Sequence, residues 1–428
     1  MGGTPDEVAM KVVQTQKEDN AFYVCDLREL KNRVRLWRQQ LPRVIPYFAI
    51  KVCTDPVVVQ TLACEGVNFD CSNKWEIEAV VNTGIDPSRV IYANPAKQSS
   101  HLEFAKNTGV TMMTFDCAEE LEKISDKNSR LLLRVKAQGG VIEGKMAAKY
   151  GCSSDEAAPL LLTARNLGHS VVGVAFHVGA IHYNPETFAH AIAQAREVFD
   201  VAKKFGIEMN VLDIGGGFPG GIRKRESFEE VCRAVRCALD LHFPESSGIR
   251  VIAEPGQYMV TAPYTLVAKV VAKRTRQTSI HGILCRHHDV YLNASKENCI
   301  PREMYPFLDI GYQPLGPPYD RPRTHLTTLW GATCHPLDVL EESVPFFEVS
   351  VDEWLVVDNV GAYGMVKASG FNGTGFPPVH YITSAEDAPR VAHILEASPF
   401  SPGYSQPMQA AKETCCSGID PNLGSHAS

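Results

Sequence analysis

A (β/α)8 barrel followed by a smaller all-β domain is the fold class that this 428-residue sequence predicts. Three observations carry the prediction. Short apolar runs and helical periodicity alternate eight times before Ala262. Beyond Ala262, short β-rich runs are divided by Pro, Gly and Asn clusters. The composition, 44% hydrophobic and 21% charged, is that of a globular chain long enough for two domains.

The eight runs are VIPYFAIK (44–51), GVNFDC (66–71), RVIYANP (89–95), GVTMMTFD (109–116), RLLLRV (130–135), VVGVAFHVG (171–179), MNVLDIGGG (209–217) and RVIAEPG (250–256). Each is nearly continuous in apolar residues, as a strand buried on both faces must be. Doubly wound sheets share the alternation, but eight successive repeats favour the closed barrel. The clearest helix runs from Pro185 to Phe205, with Phe188, Ile192, Ala195, Phe199 and Ala202 on one face and Gly206 as its stop. "TDP" at 54–56 reads as the start of another helix. In the second domain, strands are expected at 265–275, 345–350 and 353–359. The expected division is an N-terminal segment joining the β-domain (1–25), the barrel (26–263), the β-domain (264–400) and a disordered tail rich in Ser, Pro and Gly (401–428).

Several classes of function are excluded or disfavoured. The net charge of −7, without a Lys/Arg stripe, argues against a nucleic-acid binder. No run of 18 apolar residues exists to span a membrane. The polar first 20 residues lack a signal-peptide core, and Asp6 stands where a myristoylation signal wants Ser or Thr. The 13 cysteines show no CxxC pair and read as reduced thiols of a cytoplasmic protein.

Barrel enzymes place their chemistry at the C-terminal ends of strands. Here those ends carry Lys51, Asp70, Asn94, Asp116, His177, Gly215–Gly217 and Glu254. Singly, each has a bland reading: a solvated lysine, a core histidine, a turn, a helix-terminus charge. Together they suit pyridoxal phosphate. A desolvated lysine can form a Schiff base with the cofactor aldehyde. DIGGGFPGG (213–221) offers main-chain N–H groups to a phosphate with no Cβ in the way. In "EPG", Glu254 suits the ring nitrogen and Gly256 the phosphate, while the His177 imidazole can stack on the ring.

The motifs YFAIK, NFDCSNKWEI, RVIYANPAKQ, GVTMMTFD, AFHVGA, DIGGGFPG, AEPG, WGATCHPLD, NVGAY and FNG follow one another between about Ala21 and Ser384. In them the chain resembles the eukaryotic ornithine decarboxylases and their non-catalytic relatives, the antizyme inhibitors. It most resembles an ornithine-decarboxylase-like paralogue described as a leucine decarboxylase. The resemblance implies an alanine-racemase-like barrel, a C-terminal β-domain and a homodimer with shared active sites. It implies that Lys51 binds the cofactor, His177 stacks on its ring, and Glu254 pairs with its nitrogen. It further implies that Gly215, Gly216, Gly217, Gly256 and Tyr363 hold the phosphate. Asp70 and Glu76 would sit near Lys51. Cys334 would reach across the dimer and protonate Cα of the substrate.

Departures from the family pattern bear on substrate and cofactor. In ornithine decarboxylases an aspartate directly follows the catalytic cysteine; here His335 does. A second aspartate falls, by a gapless count through VYLNASKENCIPRE, at Cys299 and Ile300. An ornithine side chain would then bring an ammonium into a site without a carboxylate, at prohibitive cost. A branched aliphatic side chain would gain roughly 1.5–3 kcal/mol from burial. The expected substrate is a neutral apolar amino acid, leucine first, giving isopentylamine and carbon dioxide. EPGR of the family is EPGQ here, and Gln257 replaces a charge-assisted phosphate contact with a neutral one, about 1–2 kcal/mol weaker. Ala180 replaces the serine of FHVGS. These losses support the rival expectation, a binder of the antizyme-inhibitor kind without catalysis. Its antizyme surface would involve residues 101–116, where Glu103 and Lys106 leave the contact open.

Overall fold

The computed structural model describes residues 3–137, 149–179, 184–221, 225–280, 283–300 and 310–397. A helix (Pro5–Thr15) opens the chain, started by a capping box between Thr4 and Glu7. Its Val8, Ala9 and Val12 pack against Phe22 and Val24 of strand β1 (Phe22–Asp26). The chain then builds a closed barrel: β2 (Val44–Ala49), β3 (Asn68–Cys71), β4 (Val90–Tyr92), β5 (Met112–Phe115), β6 (Arg130–Arg134), β7 (Ser170–Ala175), β8 (Val211–Asp213) and β9 (Arg250–Ala253). Every neighbouring pair is parallel, and β9 closes onto β2 through Val44 opposite Val251.

All eight predicted runs form barrel strands, each shorter than its apolar run. The strands stop within two residues of the polar group that ends them, which frees Lys51, His177 and Glu254 from the ladder. Tyr47, Ile91, Met112, Leu132, Val172, Val211 and Ile252 fill the barrel interior. Their neighbours along each strand, such as Phe48, Phe69, Leu131, Leu133 and Leu212, face outward into the helix layer. Burial on both faces is what makes these runs continuously apolar. The helix expected over 185–205 spans Pro185–Lys204, with Asn184 as N-cap and Gly206 at φ +69°.

The second unit is an eight-stranded sheet. Strands β10 (Tyr264–Ile280), β11 (Ile283–Leu292), β12 (Gly311–Pro314), β13 (His325–Trp330), β14 (Val339–Phe346) and β15 (Trp354–Asp358) run in the order β12-β15-β10-β11-β13-β14. β1 joins it by pairing with β10 and with β16 (Val379–Ile382). The strand expected at 345–350 ends at Phe346 instead. Phe347 and Val349 are buried outside the ladder, and Phe347 stacks on Phe346, so apolar burial there comes from a loop. A helix at Ala388–Ala397 lies in a stretch read as all-β. The tail expected to be disordered, 401–428, lies outside the described residues.

A buried carboxylate joins the two units. Asp55 is the N-cap of the helix Pro56–Cys64, accepting from Val57 N–H at 2.8 Å. Its other oxygen accepts from the hydroxyls of Tyr264 (β10) and Tyr381 (β16). Asp55→Ala strips a cap and orphans two buried hydroxyls. It is expected to lower unfolding free energy by roughly 2–4 kcal/mol in urea titrations, against about 1 kcal/mol for Tyr381→Phe.

Candidate active site

Lys51 sits in a single 3₁₀ turn, Ile50–Val52, between β2 and the helix that Asp55 caps. Ile50 and Val52 are buried, so the turn projects Lys51 alone into the barrel mouth. Its Nζ lies 3.4 Å from Asp70 Oδ2, at the end of β3. The side chain is 43% accessible from the open mouth, yet Asp70, Glu254, Tyr363 and Glu76 surround it. The Asp70 carboxylate holds the lysine pKa above its ordinary value, outweighing burial. Burial does disfavour the ammonium, as a desolvated lysine requires, but the acids around it stabilise the charge more.

Two more carboxyls close the ring. Burial, then the charges of Asp213 and Asp70, push the Glu254 carboxyl far above its usual range. Burial likewise pushes Asp213 up to about 7. Each carboxylate raises the other's proton affinity, so burial and mutual repulsion both favour a protonated carboxyl in the pair. Glu76, accepting from Ser72 N–H and hydroxyl at 2.7 and 2.8 Å, is raised by burial. Burial pushes His177 well below its ordinary value, with Arg134 and Lys51 adding to the effect. Its Nδ1 accepts from Gly179 N–H at 2.9 Å, which leaves a neutral ring with its proton on Nε2.

The glycine run is required by its neighbours. Gly215 has φ +65°, and a Cβ there would lie 2.1 Å from the Phe176 carbonyl oxygen. At Gly216 a Cβ would meet Glu254 O at 2.7 Å and His177 Nε2 at 2.9 Å; at Gly217 it would meet Gly179 O at 2.1 Å. Gly256 is hemmed in by Val52 and Ala49. Absent side chains let the β8 loop press against the His177 loop and bare its main chain to the mouth. Tyr363, at φ +66°, donates its N–H to Val52 O at 2.9 Å and so brings the C-terminal unit to the lysine turn.

Arg134 at the end of β6 and Asp213 at the end of β8 act electrostatically on Glu254, and neither was singled out from the sequence. Both are charged residues terminating apolar strands, the same signal that marked the others. Asn94 and Asp116 instead brace loops, accepting from Ala96 N–H and Gly151 N–H. Gln257 is buried, and its amide donates to Phe218 O at 3.3 Å. Ala180 lies outside the described residues.

The substrate-end residues are placed differently from expectation. Ile300 and Cys299 are fully enclosed; the Cys299 thiol bonds Ser295 O and Asn298 Oδ1, and its carbonyl accepts from Tyr23. The tight turn from Ser295, where Cys299 N–H and Ile300 N–H both return to Ser295 O, draws them into the core. Among the described residues both side chains are buried. Cys334 and His335 occupy an exposed loop after β13; Cys334 N–H donates to Asn372 Oδ1 at 2.8 Å. Asp338 is buried and accepts from Thr333 N–H, Thr333 hydroxyl and Lys296 N–H.

A lysine among carboxyls, a flat neutral imidazole and a bare glycine loop fit pyridoxal phosphate on the barrel type of the alanine-racemase-like enzymes. The comparisons place the chain more narrowly. Residues 27–261 match the family model for the pyridoxal-dependent decarboxylase, pyridoxal binding domain. Antizyme inhibitor 2 of Xenopus laevis is 38% identical over 88% of this chain and 84% of its own length. Ornithine decarboxylase of Mus musculus is 36% identical over 87% of this chain and 82% of its own. The arginine decarboxylase of Paramecium bursaria Chlorella virus, solved with agmatine, superposes with a TM-score of 0.81 at 30% identity, covering 88% of this chain and 100% of that one. The chain belongs to the pyridoxal-dependent decarboxylase family that includes the ornithine decarboxylases and antizyme inhibitors. It is a carboxy-lyase of the pyridoxal-phosphate class. No described helix is long and apolar enough to cross a membrane.

The acid pair gives a pH dependence with a definite sign. A carboxyl whose folded pKa is raised binds its proton more tightly when folded, so stability falls as pH rises from the unfolded value, about 3.9, to the folded one. For Asp213 that window closes at about 7. Without cofactor, the melting temperature is expected to fall across this window, and Asp213→Asn is expected to flatten the fall.

Proposed function

We propose that this decarboxylase acts on a neutral apolar amino acid, L-leucine first, releasing carbon dioxide and isopentylamine. The observation that carries the reading is the Gly331–Asp338 loop. The position after Cys334 is a histidine, and the acid that remains, Asp338, is buried and engaged by three hydrogen bonds, two from Thr333 in its own loop and one from Lys296 N–H. A distal ammonium would meet no unengaged carboxylate there. Glu297 lies 3.7 Å from the His335 ring and is the one nearby acid to be tested.

Bound pyridoxal phosphate supplies the electron sink for the pair left by the departing carboxylate. Lys51 holds the cofactor and, paired with Asp70, gives and takes the proton at its own nitrogen. The neutral ring of His177 covers one face and excludes water. Glu254, with Asp213 beside it, would face the pyridine nitrogen and favour its protonated form. Gly215–Gly217, Gly256 and Tyr363 receive the phosphate. The Cys334 thiol, exposed on one chain, donates its proton to Cα of a substrate held by a second copy. That requires a homodimer with shared sites. A cytoplasmic location suits the many reduced cysteines.

One observation favours a second reading, an antizyme-binding regulator without turnover. Gln257 stands where the family carries an arginine, and its buried amide donates to Phe218 O, a neutral contact in place of a charge-assisted one. Absorption spectra with added cofactor separate the two readings. A visible band from lysine-bound cofactor is expected in the native protein and absent in Lys51→Ala. Leucine is expected to exceed ornithine by about 100-fold or more in kcat/KM, consistent with an unpaired buried ammonium costing ~3 kcal/mol. Cys334→Ala is expected to keep the band and lose turnover. Ornithine turnover abolished by Glu297→Gln would overturn the substrate reading. No band at saturating cofactor, with antizyme captured by the purified chain, would establish the regulator.

A further inference from the structure

A second cluster of metal-binding side chains lies in the C-terminal sheet. None of its members is among the groups that surround Lys51. His288 is on β11, His325 begins β13, and Glu348 follows the end of β14. Their meeting follows from register. β11 and β13 run parallel with His288 opposite Thr327, so His325, two residues back, shares the face of His288. His325 is opposite Phe346 of β14, and Glu348 follows two residues on. His325 Nε2 is 2.8 Å from Glu348 Oε2, and His288 Nε2 is 3.8 Å from the same oxygen. All three donor atoms lie within 4.8 Å of one another.

An exposed His–Glu pair beside a core histidine would be unremarkable if each polar atom were satisfied. His288 breaks that pattern. It is 5% accessible, and its Nε2 is buried, faces the other two side chains and has no hydrogen-bond partner. Its other nitrogen, Nδ1, is 3.0 Å from Thr275 Oγ1 on β10. With Nδ1 donating to that hydroxyl, Nε2 presents its lone pair to Glu348 and His325. A bond from the far ring nitrogen to a neighbouring hydroxyl, which fixes tautomer and ring angle, is the arrangement of a metal-ligating histidine.

We propose that His288, His325 and Glu348 bind a zinc-class divalent ion that pins β11 and β13 to the end of the edge strand β14. Two imidazole nitrogens and one carboxylate oxygen suit zinc, with water as the fourth ligand. Ligands about 2.0–2.1 Å from a tetrahedral ion stand roughly 3.3 Å from one another. The observed 2.8 and 3.8 Å to Glu348 bracket that spacing, and with all three donor atoms within 4.8 Å of one another the histidines and the half-exposed Glu348 need only close in on the ion. Lys273 pairs with Glu348 Oε1 and donates to Val349 O, which anchors the carboxylate and leaves Oε2 for the ion. The nearby positive charge weakens the site without occupying it.

The test uses the full chain in metal-free buffer. Zinc is titrated against a chromogenic chelator, and cobalt(II) serves as a spectroscopic substitute. One ion per chain is expected, lost in His288→Ala, His325→Ala and Glu348→Gln. Thr275→Val is expected to weaken binding by about 10–100-fold. Zinc is expected to raise the melting temperature of the native chain by mass action and to leave His288→Ala unmoved. The exposed Glu348→Gln keeps the test valid if a histidine variant misfolds. Cobalt is expected to show visible d–d bands without a thiolate charge-transfer band. Equal zinc affinity in native and Glu348→Gln chains, or a thiolate band indifferent to all three substitutions, would assign the metal to cysteines and overturn the proposal.

Discussion

The Lys51–Asp70 ion pair at 3.4 Å is the contact on which the barrel mouth depends. It exists because β2 and β3 pair with Ala49 opposite Asp70, and a tight turn then carries the chain from Ala49 to Lys51. A slip of one residue between these strands would turn Asp70 to the other face and leave the lysine without its counter-charge. Once that pair is fixed, the other acids must respond to it. Asp70 is a buried charge, so it raises the pKa of Glu254 and of Asp213, and the cluster sheds the repulsion by keeping a proton. Arg134 works in the opposite direction and lowers both. The mouth is thus one electrostatic system in which no group has an isolated protonation state.

The C-terminal sheet holds this system from outside. Tyr363 N–H on Val52 O and the two tyrosines on Asp55 grip the chain where it leaves the lysine turn. The turn is three residues long and makes few bonds of its own. Its geometry is therefore set by a unit that contributes little to the barrel core. This explains why a sheet domain follows a barrel that closes without it: the barrel supplies strand ends, and the sheet fixes the direction in which one of them points.

Much of this was legible in the sequence. Strands buried on both faces announce themselves as apolar runs, and the first polar residue after each run marks its exit to the mouth. Lys51, Asp70, His177 and Glu254 were found that way. Asp213 and Arg134 ended strands just as clearly, but the eye for GGG and for RLLLRV passed over the charges within them. What the sequence could not show was balance. The sign of the Lys51 shift depends on how many carboxyls converge from β3, β8 and β9, which is a property of closure. Counting residues also fails where the chain turns on itself. Ser295–Ile300 coils tightly enough to bury both residues assigned to the substrate by a linear count.

The two ends of the site differ in how much they owe to this chain alone. At the cofactor end, the required groups converge within one protomer, and the glycine contacts show that the space was built by removing side chains. In the sheet domain, Ile300 and Cys299 are withdrawn into the core, Asp338 is engaged by Thr333 and Lys296, and Cys334 stands exposed. The cofactor end is shaped within the barrel, while the loop that carries Cys334 is shaped by the sheet domain. The two can change independently. A chain can keep Lys51, His177 and Glu254 and still exchange one substrate for another by altering a single loop of the sheet domain.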